Sequence, residues 1–317
     1  MEKVAEQEGR GTVRVVFFGT SEFALKPLER LALSHHEILC VITTPDARGK
    51  RGRKLIPPPV KVFAQEHSLE LHQPESLKST GFIELIKQKK PDLFVVVSYG
   101  KFLPAQLLDL VKYRLNIHPS LLPKYRGPSP INYALLNGDT HTGVSIIDVT
   151  SRMDAGDIYM QWVVPIKKKE KYPQLHDRLS GIGAQMLLCV MDSITEIKPA
   201  KQDESRATYT RIIQKEDGKV DFCTMKAAQI ENMVRAFYPW PGVYFRYSGK
   251  LFKLIDVEAL NMDAEPCTVA LVDKSRLVIG CKEGAISIKT IQPESKKPMD
   301  IRAFLAGYRF KAGDIIR

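Results

Sequence analysis

The sequence predicts an α/β fold, with a Rossmann-like, mostly parallel sheet domain followed by a small OB-like antiparallel β-barrel domain. Apolar strand-like runs alternate with helical spacings over the first two thirds of the chain. Some of these runs are apolar at every position, as expected for parallel strands buried on both faces. Beyond about residue 205 the chain changes to short strand-like runs at close spacing, which is typical of a small barrel.

The first domain is assigned from strand-like runs with helical segments between them. The predicted strands are Val13–Phe18, Ile38–Ile42, Leu93–Val97, Arg114–Ile117, Thr142–Asp148 and Ile158–Val164. The predicted helices are Ser21–Leu33, Gly81–Gln88 and Leu175–Ile194, and Ser21 is expected to cap the first of them. Strand, helix and strand in this order require a right-handed crossover and therefore a parallel sheet.

The second domain follows the polar segment Lys198–Ser205, which contains Pro199 and is predicted to be a linker. A helix is predicted at Ala227–Phe237. The predicted strands after it are Val243–Tyr247, Leu251–Leu254, Cys267–Val272, Leu277–Gly280 and Ala285–Ile291. The predicted divisions are an N-terminal extension (1–11), a first domain (12–197), a linker (198–208) and a C-terminal domain (209–317).

Composition restricts the class of protein. The 317 residues carry a formal charge of +11, which favours a polyanionic partner only if the charge is clustered, and the excess is spread over both parts of the chain. The five cysteines lack metal-ligand spacing and are expected to be buried thiols in a reducing compartment. The acidic N-terminus and the absence of a long apolar run predict a cytoplasmic protein with no membrane contact. The matrix of an organelle is the alternative location that stays open.

A dinucleotide site is excluded by the residues after the first strand. Gly19 is the only glycine there, whereas dinucleotide binding needs three glycines so that backbone can approach the pyrophosphate. No phosphate-binding loop of the Walker type occurs either. The first domain is therefore expected to use a nucleotide-binding type of sheet without a nucleotide.

Two polar clusters follow different strands. The first contains Asn116 and His118, and the second contains Asp154 and Asp157. We expect the ends of the strands to meet at one edge of the sheet, where sites form. A histidine there can give or hold a proton, an asparagine can donate to an oxyanion, and an aspartate can orient the histidine. Such residues also serve as caps and turn formers, so the trio alone leaves a structural role open.

The motifs around these residues narrow the choice. Asn116-x-His118-Pro-Ser120-Leu-Leu-Pro, then Tyr125-Arg126-Gly127, and then Asp154-x-Gly156-Asp157 together resemble the signature of folate-dependent formyltransferases. The resemblance continues in Phe18-Gly19-Thr20, in Val95–Gly100 and in Arg235–Gly242, and so covers nearly the whole chain. One departure is Ser21, where many relatives have proline.

The resemblance implies an activity and a set of site residues. It implies transfer of a formyl group from 10-formyltetrahydrofolate to an amine, with Asn116, His118 and Asp154 as catalytic residues. Four residues would border the folate: Ser120, Leu121, Leu122 and Pro123. The apolar segment Val95–Gly100 would cover the pterin. No metal is implied, and the family suggests a monomer.

A basic segment favours tRNA as the carrier of the amine. Five of the seven residues from Arg48 to Lys54 are basic, namely Arg48, Lys50, Arg51, Arg53 and Lys54. Such a segment suits phosphate contact, although basic runs are often only solvated surface. In the tRNA-specific members of the family a matching loop enters the acceptor stem, and Arg51 aligns with its key arginine. The resemblance therefore implies that the amine is that of methionine on initiator tRNA, which is used in translation initiation. It also implies that the charged C-terminal barrel supports tRNA binding.

Four alternatives stay open. A glycinamide ribonucleotide formyltransferase would leave residues 206–317 unexplained. A folate-dependent sugar-nucleotide N-formyltransferase or a folate-linked hydrolase would have no need of the Arg48–Lys54 segment. A non-catalytic RNA-binding module would have no use for Asn116, His118 and Asp154 together.

Overall fold

The computed structural model describes residues 11–48 and 55–316, which divide into two compact units. The first comprises the chain up to Gly127 together with Thr142–Val164 and His176–Tyr209. The second comprises Pro128–His141, Pro165–Leu175 and the chain from Thr210 onward. Each unit therefore contains segments from separate parts of the sequence.

The first unit is built on a seven-stranded sheet. The strands in chain order are β1 (Arg14–Gly19), β2 (Glu37–Ile42), β3 (Ala47–Arg48), β4 (Leu55–Ile56), β5 (Leu71–His72), β6 (Leu93–Val97), β7 (Tyr113–His118), β8 (His141–Asp148) and β9 (Ile158–Pro165). The sheet order is β5-β2-β1-β6-β7-β8-β9, and β3 pairs with β4 separately. The pairings from β5 to β7 are parallel, and β8 is antiparallel to β7.

Six helices accompany these strands in the described part of the chain. They are α1 (Leu25–Ala32), α2 (Pro59–Glu66), α3 (Thr80–Gln88), α4 (Ala105–Leu108), α5 (Pro130–Leu136) and α6 (Tyr172–Asp192), of which α5 and residues 172–175 of α6 belong to the second unit. Phe18 and Phe94 contribute to one core cluster with Phe82 and Ile86 of α3. All five residues of β6 are buried, so the sheet is covered on both faces, as its apolar runs predict.

The end of β1 is shaped by packing. A Cβ on Gly19 would lie 2.6 Å from the ring of Phe17 and 3.0 Å from Cβ of Ala24, so this single glycine is required by its neighbours rather than by a phosphate. Ser21 lies at the N-cap position, as predicted, before the short helical turn Glu22–Ala24 that leads into α1. Its hydroxyl makes no capping bond and instead donates to Oγ of Ser98 at 2.7 Å, because the turn after β6 lies close by.

The second unit contains an antiparallel sheet. Its strands are β10 (Val243–Tyr247), β11 (Lys250–Leu260), β12 (Val269–Val272), β13 (Leu277–Gly280), β14 (Ala285–Pro293) and β15 (Met299–Asp300). Their order is β10-β11-β14-β13-β12, with β15 also on β14. Helices α7 (Ala227–Ala236) and α8 (Ile301–Gly307) accompany it. The predicted fold class, a parallel-sheet domain followed by an antiparallel one, is confirmed.

The core of the second unit is aromatic, and the cysteines near it differ from expectation. Phe252 stacks on Phe245 and meets Phe304 edge-on. The prediction of thiols throughout was wrong for two residues, because Cys223 and Cys267 form a disulfide. Their Cα atoms lie 5.0 Å apart although 44 positions separate them, which is a proximity that only the tertiary fold creates.

Within the part of the chain that the structure describes, no helix is long and apolar enough to cross a membrane.

Candidate active site

The predicted catalytic residues come together in the first unit. Asn116 and His118 lie two positions apart on β7, so both side chains project from the same face of the strand. Asp154 lies in the loop between β8 and β9, and its backbone is left-handed, with a φ of 50°. The His118 ring is buried, with 5% of the side chain exposed, and the Asp154 side chain is 16% exposed. This is a partly enclosed polar site.

The route by which Asp154 reaches β7 differs from the one expected. Because β8 is antiparallel, its carboxyl end at Asp148 pairs with Leu115, away from the carboxyl end of β7. The loop after β8 therefore has to fold back. A bond from the backbone N of Asp148 to the carbonyl of Asp157, 2.9 Å long, closes this loop. Gly156 packs so tightly inside it that a Cβ there would overlap the carbonyl oxygen of Asp148.

The Asp154 carboxylate faces both partners from a short distance. Its Oδ1 accepts from Nδ2 of Asn116 at 3.5 Å, the long limit for such a bond, and its Oδ2 lies 3.6 Å from Nδ1 of His118. A firm bond of 2.7 Å comes to Oδ2 from the backbone N–H of Gly127. The carboxylate is thus anchored by backbone, and its contacts to Asn116 and His118 are loose. Loose contacts of this kind commonly tighten once a substrate is bound.

The orientation of the His118 ring is fixed from the other side. Its Nε2 lies 2.9 Å from the carbonyl oxygen of Tyr125. Because a carbonyl can only accept, Nε2 must carry hydrogen, and Nδ1 is left as the nitrogen that can take or give a proton. The contacts of Tyr125 and Gly127 are made by backbone, so the side chains of the Tyr125-Arg126-Gly127 motif do not predict them.

The four predicted folate-binding residues lie in the loop after β7 with different exposures. Ser120 is fully buried, and its hydroxyl donates to the carbonyl of Lys124 at 2.6 Å. Leu122 is also buried, and its backbone N–H bonds Oγ of Ser145 at 3.2 Å. Leu121 and Pro123 are half-buried. The side chains of Ser120 and Leu122 therefore shape the loop, whereas Leu121 and Pro123 present surface.

The segment Val95–Gly100 is tied to the end of β1. Thr20 donates to the carbonyl of Tyr99 at 3.1 Å, and the Tyr99 ring meets Phe18 edge-on. Tyr99 is buried, and this burial raises the pKa of its hydroxyl to about 12. Tyr99 thus belongs to the core under the segment, and its hydroxyl stays protonated at neutral pH.

Of the basic segment Arg48–Lys54, the structure describes only the first residue, Arg48. Arg48 is the last residue of β3, and Leu55 pairs with it as the first residue of β4. Lys50, Arg51, Arg53 and Lys54 lie outside the described residues. Two short antiparallel strands therefore lead into and out of the segment.

Two groups among the described residues have enough ligand atoms for a metal, and the chemistry of both argues against one. In the group of His35, His36 and Asp192, the backbone N–H of Val13 donates to Nδ1 of His36 at 3.4 Å, so Nε2 carries hydrogen and points at Asp192, 3.4 Å away. In the second group, both cysteines are oxidised to the disulfide and cannot ligate as thiolates.

Comparison with known proteins places this chain in a family. The formyl transferase model matches residues 13–191, and the model of the formyl transferase C-terminal domain matches residues 212–309. The chain therefore belongs to the formyltransferase family and is an enzyme of that class, which confirms the resemblance seen in its motifs.

Its similar relatives carry a more particular name. A methionyl-tRNA formyltransferase of Geobacter sulfurreducens is 40% identical over 95% of this chain and 96% of its own length. Another of that name, from Dehalococcoides mccartyi, is 39% identical over 94% of this chain and 96% of its own length.

Solved structures agree on the fold. WlaRD, a sugar 3N-formyltransferase, superposes with a TM-score of 0.67 at 18% identity over 90% of this chain and 100% of its own. HypX from Aquifex aeolicus, in complex with tetrahydrofolic acid, has a TM-score of 0.60 at 17% identity over 97% of this chain and 51% of its own.

Proposed function

We propose that this enzyme transfers the formyl group of 10-formyltetrahydrofolate to the α-amino group of methionine on initiator tRNA. The observation that carries the proposal is the convergence of Asn116, His118 and Asp154, with His118 held so that Nδ1 faces Asp154. Two relatives named methionyl-tRNA formyltransferase cover almost the whole chain at 39 to 40% identity, which supports tRNA as the acceptor.

The reaction follows from the chemistry of these three side chains. The amine attacks the formyl carbon, a C–N bond forms, and the carbonyl oxygen becomes a tetrahedral oxyanion. The Asn116 amide and His118, protonated at Nδ1, donate to that oxygen, and each pre-aimed donor contributes about 3–4 kcal/mol. Asp154 accepts the amine proton and passes it to the departing folate nitrogen as the old C–N bond breaks. Protons balance, and no oxidant or metal takes part.

The loop after β7 supports the folate part of the proposal through its shape. Leu121 and Pro123 offer half-buried apolar surface beside His118 in the sequence, and Ser120 and Leu122 hold that surface in place. We therefore assign folate contact to the side chains of Leu121 and Pro123 and a supporting role to Ser120 and Leu122.

The basic segment supplies the tRNA part. Arg48, Lys50, Arg51, Arg53 and Lys54 contact the acceptor stem in this proposal, and replacing Arg51 by alanine is expected to raise KM for charged tRNA and to reduce its salt dependence. Lys78→Ala, which removes an exposed lysine elsewhere in the first unit, is the matched control. An equal effect of both substitutions would contradict the assignment.

The test of the function is formylation of charged initiator tRNA with 10-formyltetrahydrofolate, with charged elongator methionine tRNA as the control. Rapid transfer to the initiator alone is expected. Transfer to neither tRNA, with folate still bound, would overturn the proposal and would favour an amine on a sugar nucleotide.

A further inference from the structure

The segment predicted to be a linker is hydrogen-bonded to both loops of the active site. We call residues 200–209 the strap. Its Ala200 exchanges two backbone hydrogen bonds with Ile158, at 2.8 and 2.9 Å, beside the loop that carries Asp154. Its Thr208 receives bonds from the backbone of Tyr125 and Arg126, both 2.8 Å long, beside the loop that contacts His118. The strap therefore belongs to the first unit and touches both loops.

One side chain of the strap connects the two loops directly. The Nε2 of Gln202 donates to the carbonyl of Asp154 at 2.8 Å and to that of Gly156 at 2.7 Å. The Oε1 of Gln202 accepts from Arg126, at 3.1 Å from Nε and 2.8 Å from Nη2. The partners fix which way the amide points, because two carbonyls need a donor and a guanidinium needs an acceptor.

The Arg126 charge that holds Gln202 is itself compensated. The Arg126 side chain is fully buried, which is costly for a cation unless it is paired. Glu204 pairs with it through both carboxylate oxygens, at 2.9 and 3.0 Å, and Arg152 also donates to Oε2 of Glu204, at 2.8 Å. The bond from Arg126 lowers the pKa of Glu204 to about 2, so the pair stays charged at neutral pH.

Asp154 needs this support because of its backbone. Its φ of 50° is a left-handed conformation that costs a residue with a side chain about 1–2 kcal/mol. The carbonyl of Asp154 itself accepts from Gln202, and the carboxylate accepts from Gly127, the neighbour of Arg126. Asp154 is thus held by one hydrogen bond at its backbone carbonyl and by another at its carboxylate.

We propose that Gln202 is a positioning residue for Asp154. Its amide holds the peptide of Asp154 so that the carboxylate faces His118 and Asn116. Gln202 acts only through Asp154. The inference rests on the proposed function, because it assigns Gln202 to the reaction in which Asp154 moves the proton.

Two substitutions separate this role from a merely structural one. Gln202→Glu keeps an acceptor for Arg126 but places oxygen against the carbonyls of Asp154 and Gly156, so it loosens the loop and spares the Arg126 contact. Gln202→Leu removes both sets of contacts at similar volume. Lys201→Ala changes an exposed neighbour on the same strap and is the control.

The experiment measures kcat, KM for folate and charged initiator tRNA, and Tm for each variant of the full chain. We expect Gln202→Glu to lower kcat about 10- to 100-fold, because misplacement of a reacting group by about 1 Å has an effect of that size. Both KM values should stay within about 3-fold of wild type, since no substrate contact is lost. Lys201→Ala should match wild type.

Two results would overturn the positioning role. One is a wild-type kcat in Gln202→Glu, which would show that turnover does not depend on the bonds from Gln202 to the carbonyls of Asp154 and Gly156. The other is a fall in Tm of more than about 10 °C in both Gln202 variants, which would make Gln202 a residue of the fold. Failure of the wild-type enzyme to formylate tRNA is a different outcome, and it would count against the proposed function itself.

Discussion

The backbone N–H of Gly127 donates a 2.7 Å hydrogen bond to Oδ2 of Asp154, the oxygen that also faces His118. The position of the carboxylate therefore depends on a loop distant in sequence from its own.

Replacement of Asp154 by asparagine should reduce kcat by about 100-fold or more, because the general base is lost while the shape of the side chain is kept. Folate affinity and Tm should stay close to wild type. Steady-state formylation, folate titration and thermal unfolding measure the three quantities. Asp109→Asn, the same change at an exposed position of the first unit, is the control. Near-normal turnover in Asp154→Asn would rule out the proposed mechanism.

Gly156 and Gly81 should respond in opposite directions to alanine. A Cβ at Gly156 would overlap backbone of Asp148, so Gly156→Ala should cost about 1–3 kcal/mol or more of unfolding free energy and lower activity by moving the loop of Asp154. Gly81 lies in α3 with its nearest neighbour, Oγ of Ser79, at 3.9 Å, and Gly81→Ala should gain about 0.4–1 kcal/mol. Denaturant unfolding of both variants tests this, and equal stabilities would contradict the packing described.

Glu204 should contribute stability only above acidic pH. Its folded pKa of about 2 lies below the ordinary glutamate value of 4.5, so its contribution is complete above about pH 4.5 and is lost as the pH falls towards 2. Glu204→Gln should therefore unfold more easily than wild type at pH 6 to 7, and the difference should vanish in acid. Tm measured against pH shows this, with Glu196→Gln, at an exposed position, as the control. A difference between wild type and Glu204→Gln that is unchanged at low pH would contradict the pairing with Arg126.

Reduction of the Cys223–Cys267 disulfide should lower the stability of the second unit. A crosslink that closes a loop of 44 residues is worth at most about 4 kcal/mol of unfolding free energy. Cys223 is exposed and so accessible to reductant. Calorimetry with and without dithiothreitol should show a lower Tm on reduction, and Cys223→Ser should reproduce it while Cys189→Ser should not. Identical curves for oxidised and reduced protein would show that the bond is absent or without effect.

Some of these features could be predicted from the sequence because local pattern determines them. The all-apolar run of β6 indicates burial on both faces, and the spacing of two between Asn116 and His118 places both on one face of β7. The direction of β8 could not be predicted in this way. It depends on how β8 pairs with β7, and the burial of β8 from Thr142 to Ile147 would be the same in either orientation.

The side-chain contacts of the strap and the disulfide could not be predicted from the sequence, for related reasons. A polar segment with a proline has the composition of a linker, and only the buried guanidinium of Arg126 shows that Gln202 and Glu204 have fixed partners. Likewise, the closeness of Cys223 and Cys267 arises from folding and leaves no mark in their spacing. The roles of Asn116, His118 and Asp154 rest on motifs and remain predictions for experiment.

The division of the chain into interleaved segments has a consequence for genetic dissection of this protein. The polypeptide passes from one compact unit to the other at five points, so no single break in the gene yields two complete halves. A fragment begun at Thr210 would lack α5, whose Asn132 donates at 2.8 Å to the carbonyl of Ala236, the last residue of α7. Neither unit can therefore be cloned as one uninterrupted stretch, and intact protein is the form in which both should be studied.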